Sequence, residues 1–132
     1  MKTISILLLA ALATFEFGCG YGTMATTPAV AGVLPAIAQL SPNTATHSGT
    51  AAALTLTVNG SNFSGSSVVN WNATALTTTF VTANQLTAAV PGSALATAAV
   101  VPVSVTNPGV AGGIYGGGTL AETSNTMNFT IN

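Results

Sequence analysis

Very few side chains in this sequence could carry out acid–base or nucleophilic chemistry. The chain has 132 residues with one histidine (His47), one cysteine (Cys19), one lysine (Lys2), no arginine and no aspartate. General acid–base catalysis usually needs a positioned carboxylate or histidine, and past residue 20 only His47 and Glu122 qualify. A serine nucleophile needs a supporting base and a group that orients it. We therefore predict that the protein is not an enzyme and that His47 is a solvated loop residue.

The composition also argues against metal, nucleotide and nucleic-acid sites. Cys19, His47 and Glu122 lack the ligand spacing of a zinc site, and calcium would need several carboxylates. The segment 109–124, "GVAGGIYGGGTLAETS", has neither the lysine of a phosphate loop nor the glycine spacing of a dinucleotide fingerprint. No basic residue follows Lys2 to neutralise phosphates. We predict no cofactor, no metal and no nucleic-acid partner.

The N-terminal residues have the layout of a secretion signal. One positive charge precedes an apolar run from Ile4 to Ala13, about half the roughly 20 residues that a spanning helix needs. Cys19 follows Gly18 and resembles the lipobox cysteine of bacterial lipoproteins, which is lipidated and becomes the mature N-terminus. A plain secretory cut elsewhere, for example after Ala13, is the alternative. We predict a signal peptide over 1–18 and an exported protein, either lipid-anchored in the cell envelope (outer membrane or cell surface) or secreted.

From Pro35 onward the sequence is typical of short antiparallel strands. Seven short segments are rich in apolar, threonine and valine residues, most of them with a period of two, and Gly, Pro or Asn separate them. The residues predicted to face inward are Leu54, Leu56 and Val58; Val69 and Trp71; Leu86, Ala88 and Val90; Val101, Val103 and Val105; and Met127, Phe129 and Ile131. The fold prediction is all-β, an immunoglobulin-like sandwich of about seven antiparallel strands over 35–132 behind a tether over 19–34.

Six of these stretches together resemble the IPT/TIG domain: "PAIAQLSPNT", "LTLTVNGSNF", "VVNWNAT", "NQLTAAVP", "VPVSVTNPG" and "SNTMNFTI". This is the immunoglobulin-like module of plexins, certain transcription factors and many bacterial surface proteins. The resemblance covers Pro35 to Asn132 and favours the bacterial surface type. It implies that Phe63 and Trp71 lie in the core, and that Gly60 occupies a position needing a positive φ or a bulge.

One segment departs from the family pattern. Residues 109–124 are a long, glycine-rich and irregular stretch before the last strand, and they contain Tyr115. Long loops are often functional or disordered, and aromatic residues are favoured at interfaces. Two interpretations stay open, a partner-contact loop centred on Tyr115 and a flexible connector.

The predicted function is binding or adhesion at the cell surface, with the membrane reached through a lipid anchor and a protein or glycan partner unidentified. A self-assembling structural subunit is an alternative, because an almost uncharged surface opposes association weakly. The apolar segment Ala29–Leu34 could then add to a neighbour's sheet edge. An accessory carbohydrate-binding domain is a third possibility, which the placement of the single tryptophan in the core disfavours.

Overall fold

The computed structural model describes residues 27–50 and 52–132. Within those ranges the chain forms β-strands and one short 3-10 helix, Gly92–Leu95. The strands are β1 (Ala36–Ser41), β2 (Thr44–Ala45), β3 (Leu54–Ser61), β4 (Val68–Trp71), β5 (Thr74–Ala75), β6 (Thr77–Thr82), β7 (Gln85–Val90), β8 (Ala99–Asn107), β9 (Val110–Gly113), β10 (Gly116–Thr119), β11 (Glu122–Thr123) and β12 (Met127–Ile131). Among the described residues, no helix has the length and apolar character needed to cross a bilayer. The predicted signal peptide and Cys19 lie outside the described residues.

Two sheets form the sandwich. One has the strand order β1-β3-β7-β6, and the other has the order β2-β12-β8-β4-β5 with β11 also on β8. The β12–β2 pair is parallel, and the remaining pairs in both sheets are antiparallel. The seven segments predicted from the sequence are β1, β3, β4, β6, β7, β8 and β12. The all-β immunoglobulin-like fold is therefore confirmed.

Most of the core consists of the inward-facing residues that the period-two pattern predicted. Of that predicted set, Leu54 and Met127 are only partly buried, and the core also contains residues that were not predicted: Ile37, Leu40 and Leu95. Leu56, Val103 and Phe129 are fully buried, because alternate residues of each strand face the opposite sheet. Trp71, 6% exposed, packs against Phe129 with ring centroids 5.0 Å apart. Phe63, 5% exposed, belongs to the same cluster. The placement of both aromatic residues in the core is confirmed.

The structure rejects one of the two expected reasons for a glycine at position 60. Its φ is not positive; the positive φ in this turn, 63°, belongs to Asn62. A Cβ on Gly60 would lie 1.9 Å from the carbonyl oxygen of Ala36 and 2.7 Å from the Phe63 ring. The bulge lies on the partner strand β1, where the register skips Ala38. The positive-φ expectation is therefore wrong, and close contact between the backbones of β1 and β3 requires the glycine.

Candidate interaction surface

Residues 109–124 form a β-hairpin rather than an irregular loop. β9 pairs antiparallel with β10, and Ile114 and Tyr115 occupy the turn between them. The chain then continues into β11, where Glu122 is paired with Asn107 of β8. The prediction of an irregular segment is wrong, and Tyr115 lies at the tip of a hydrogen-bonded hairpin.

A third stretch of chain pairs with the free edge of this hairpin. Isolated parallel bridges join Thr27 to Gly116 and Val30 to Thr119. The Thr27 amide donates to the Tyr115 carbonyl over 2.9 Å, and the Val30 carbonyl accepts from the Leu120 amide over 2.8 Å. Within the apolar segment 29–34, Val30 therefore pairs with Thr119 of its own chain. We call residues 27–34 and 109–120 together the platform.

The three consecutive glycines of β10 are required by the geometry of the hairpin. Gly116, Gly117 and Gly118 have φ values of 88°, 86° and 89°, a region that side chains with a Cβ rarely adopt. A Cβ on Gly118 would lie 2.2 Å from the Val110 carbonyl oxygen, and one on Gly116 would lie 2.3 Å from that of Thr27. Three close-packed stretches of backbone, rather than a need for flexibility, therefore account for this glycine run.

A buried asparagine joins the platform to the sandwich. The Asn107 amide nitrogen donates to the carbonyls of Val33 and Asn62, both at 2.8 Å, and its Oδ1 accepts from the Ser67 hydroxyl. The Asn62 side chain in turn donates to the Leu34 carbonyl over 3.0 Å. Asparagine suits this position because one amide group supplies two donors and an acceptor. This network was not predicted from the sequence.

The exposed apolar side chains of the domain are concentrated on the platform. Ten large apolar residues are exposed in the described part of the chain, and seven of them belong to the platform: Val30, Val33, Leu34, Val110, Ile114, Tyr115 and Leu120. Ile114 is 87% exposed and Tyr115 is 59% exposed. The platform contains no charged residue.

The base of the platform forms a shallow cleft of about 190 Å³. Its lining combines platform residues with one loop and the end of β8: Gly32, Val33, Ser64, Ser66, Asn107, Pro108, Val110, Thr119 and Leu120. Val110 and Val30 are the two lateral neighbours of Thr119. Residues directly opposite each other in a sheet project to the same face, so Val30, Thr119 and Val110 lie in one row across the platform.

A profile of the IPT/TIG domain matches residues 35–122. The chain belongs to the IPT/TIG domain family. IPT/TIG domains are immunoglobulin-like modules, typically non-catalytic and often used in binding or adhesion. Neither a search of curated proteins nor one of solved structures found a match. The matched range includes the hairpin, whereas residues 27–34 and β12 lie outside it.

The two candidate catalytic groups of this IPT/TIG domain lie at opposite ends of the sandwich. His47 is exposed, and its amide and Nδ1 both lie 2.7 Å from the carbonyl oxygen of Asn132, at the end where Ile131 pairs with Ala99. Glu122 pairs with Asn107. Ala99 and Asn107 are eight residues apart on β8, which is about 27 Å in an extended strand. The two groups therefore cannot act on one substrate atom.

Among the described residues of this IPT/TIG domain, no cluster of three or more His, Cys, Asp or Glu side chains could hold a metal ion. Cys19, the candidate lipidation residue, lies outside those residues. The sequence predicted two site residues, Cys19 and Tyr115, and the structure describes only Tyr115. Tyr115 lies on the platform.

Proposed function

We propose that this IPT/TIG domain is an exported, lipid-anchored and non-enzymatic surface module, and that the platform is its contact surface. One observation supports the platform as the contact surface. Seven of the ten exposed large apolar residues of the described chain lie on the platform, which has no charged side chain. The centres of protein interfaces are depleted of charge and enriched in aromatic residues, and Tyr115 provides the aromatic residue here.

The hydrogen bonds of the platform support this role. Its strand β10 is paired on both sides, with β9 on one side and with residues 27–30 on the other. The side chains of Asn107 and Asn62, which belong to the sandwich, donate hydrogen bonds to the backbone carbonyls of Val33 and Leu34. A surface whose backbone is already ordered loses less conformational entropy on binding. The exposed apolar side chains are therefore presented on a preformed scaffold.

A self-assembling subunit is the second candidate, favoured by the edge strand β6. This strand is at the edge of its sheet, has no charged residue and no proline, and exposes Phe80 (41%) and Val81 (46%). Such edges are usually protected by charges, prolines or bulges, and here the protection is a register shift at Val81. Residues 27–30 already pair with β10 of their own chain. The edge of β6 is therefore more available than these residues for pairing with a second copy of the chain.

In-cell photo-crosslinking distinguishes the two candidates. A benzophenone amino acid replaces Tyr115 in one variant, Phe80 in a second, and Thr55, an exposed residue near the start of β3, in a control. We expect irradiation of intact cells to give an adduct of increased mass from position 115 and none from position 55. An adduct of twice the chain mass from position 80 would support self-assembly. Equal yields at positions 115 and 55 would contradict the platform as a contact surface.

A further inference from the structure

We infer that the surface the platform contacts is the lipid bilayer in which the chain itself is anchored, with Ile114 and Tyr115 inserted at headgroup depth. This inference rests on the proposed function and names the partner of the same surface. The chemical class is an uncharged lipid–water interface. A protein partner is the competing occupant.

The position of the chain's entry into the domain is the first support. Thr27, the first described residue, is hydrogen-bonded to the β10 side of the hairpin tip through both of its backbone groups: its amide donates to the Tyr115 carbonyl and its carbonyl accepts from the Gly117 amide over 2.6 Å. The chain that leads back to Cys19 therefore leaves the domain beside Tyr115. The domain's other end, with His47 and Asn132, lies far from this exit.

The length of the linking chain is the second support. Cys19 precedes Thr27 by eight residues, and eight fully extended residues span at most about 29 Å. A lipid on Cys19 therefore holds the hairpin tip within about 29 Å of the membrane surface. A tether this short gives the tip a high effective concentration at the bilayer, so that weak contacts suffice.

The chemistry of the tip is the third support. Ile114 and Tyr115 are the outermost residues of the hairpin turn, and Ile114 is more exposed than any other large apolar residue described. Tyrosine is enriched where membrane meets water because its ring is apolar and its hydroxyl is polar. The tip carries no charge, so insertion desolvates none. The backbone of β10 is paired on both sides and that of β9 on one side, which limits the desolvation cost of an insertion that stays at headgroup depth.

The experiment replaces the natural anchor by an artificial one. The chain from Gly20 onward, which contains every described residue and no cysteine, carries an N-terminal hexahistidine tag and binds phosphatidylcholine vesicles through a nickel-chelating lipid. An environment-sensitive nitrobenzoxadiazole dye is attached at Ile114→Cys or at the control Val100→Cys. Val100 is also an exposed aliphatic residue, at 59%, but lies at the opposite end of β8.

We expect the emission of the dye at position 114 to rise at least twofold and shift to the blue on vesicle binding, and nitroxide-labelled lipids to quench it. Emission at position 100 should stay unchanged. Equal responses at both positions, or no response at position 114, would overturn the inference. Because the tag replaces Cys19, the result does not depend on natural lipidation. A protein adduct at position 115 in cells, with no vesicle response, would leave the proposed contact surface standing and reject the bilayer as its partner.

Discussion

Replacing Trp71 with alanine is expected to lower the free energy of unfolding by about 3–5 kcal/mol. Trp71 is buried on β4 and packs against Phe129 across a centroid distance of 5.0 Å. The truncation removes a large apolar surface and leaves a cavity that the surrounding strands fill only in part. Domains of this size are stable by about 5–15 kcal/mol, so the variant approaches the limit of folding. Urea unfolding followed by circular dichroism measures the change.

Phe80→Ala is the matched control for this experiment. Phe80 is also an aromatic strand residue, but it is 41% exposed on the edge strand β6. We expect Phe80→Ala to cost about 1 kcal/mol or less, because its ring loses few contacts on truncation. Equal losses for the two variants would contradict the assignment of Trp71 to the core.

Replacing Gly118 with alanine is expected to disrupt the hairpin and release residues 27–30 while leaving the sandwich folded. The added Cβ would lie 2.2 Å from the Val110 carbonyl oxygen, and the residue would have to keep a φ of 89°. Such strain costs about 1–3 kcal/mol, which corresponds to deuterium exchange faster by about 5-fold to 150-fold at amides that the hairpin protects. Exchange at the Val30 and Leu120 amides, read by mass spectrometry of short peptides, tests this.

Gly113→Ala is the control within the same hairpin. A Cβ at Gly113 meets nothing within 4 Å, and its φ is not in the positive range. We expect its exchange rates to match those of the unmodified protein. In both variants the Leu86 amide, in the core strand β7, should exchange as slowly as before. Faster exchange at Leu86 in Gly118→Ala would mean that the hairpin and the sandwich unfold together.

The sandwich could be predicted because its strands combine alternation with burial. In β3, β7 and β8, apolar residues recur at every second position, and the structure buries most of this inward set. The burial of Asn107 could also have been predicted from the sequence. Asn107 continues the inward series of Val101, Val103 and Val105, and a polar residue at an inward position needs buried partners. Those partners lie 45 and 74 residues away in sequence, so the pattern alone could not name them.

The platform could not be predicted from the sequence for two physical reasons. β10 is mostly glycine, and glycine has no side chain to reveal which face of a strand is buried. The pairing of residues 27–30 with β10 joins segments that are 88 residues apart at Thr27 and Tyr115, and isolated bridges leave no repeating pattern. Tyr115 is exposed. The hairpin that presents it could be seen only in the structure.

The central claim is that this domain works outside the cytoplasm, held at a membrane by Cys19 so that the platform lies close to the anchor. Intact-mass and peptide mass spectrometry of the protein from its native membranes tests it most directly. We expect a mature chain that begins at Cys19 with lipid attached to it. A mature start elsewhere, such as after Ala13, would be compatible with export but would contradict the anchor at Cys19. A chain that still begins at Met1, or a Cys19 recovered without lipid, would contradict the claim.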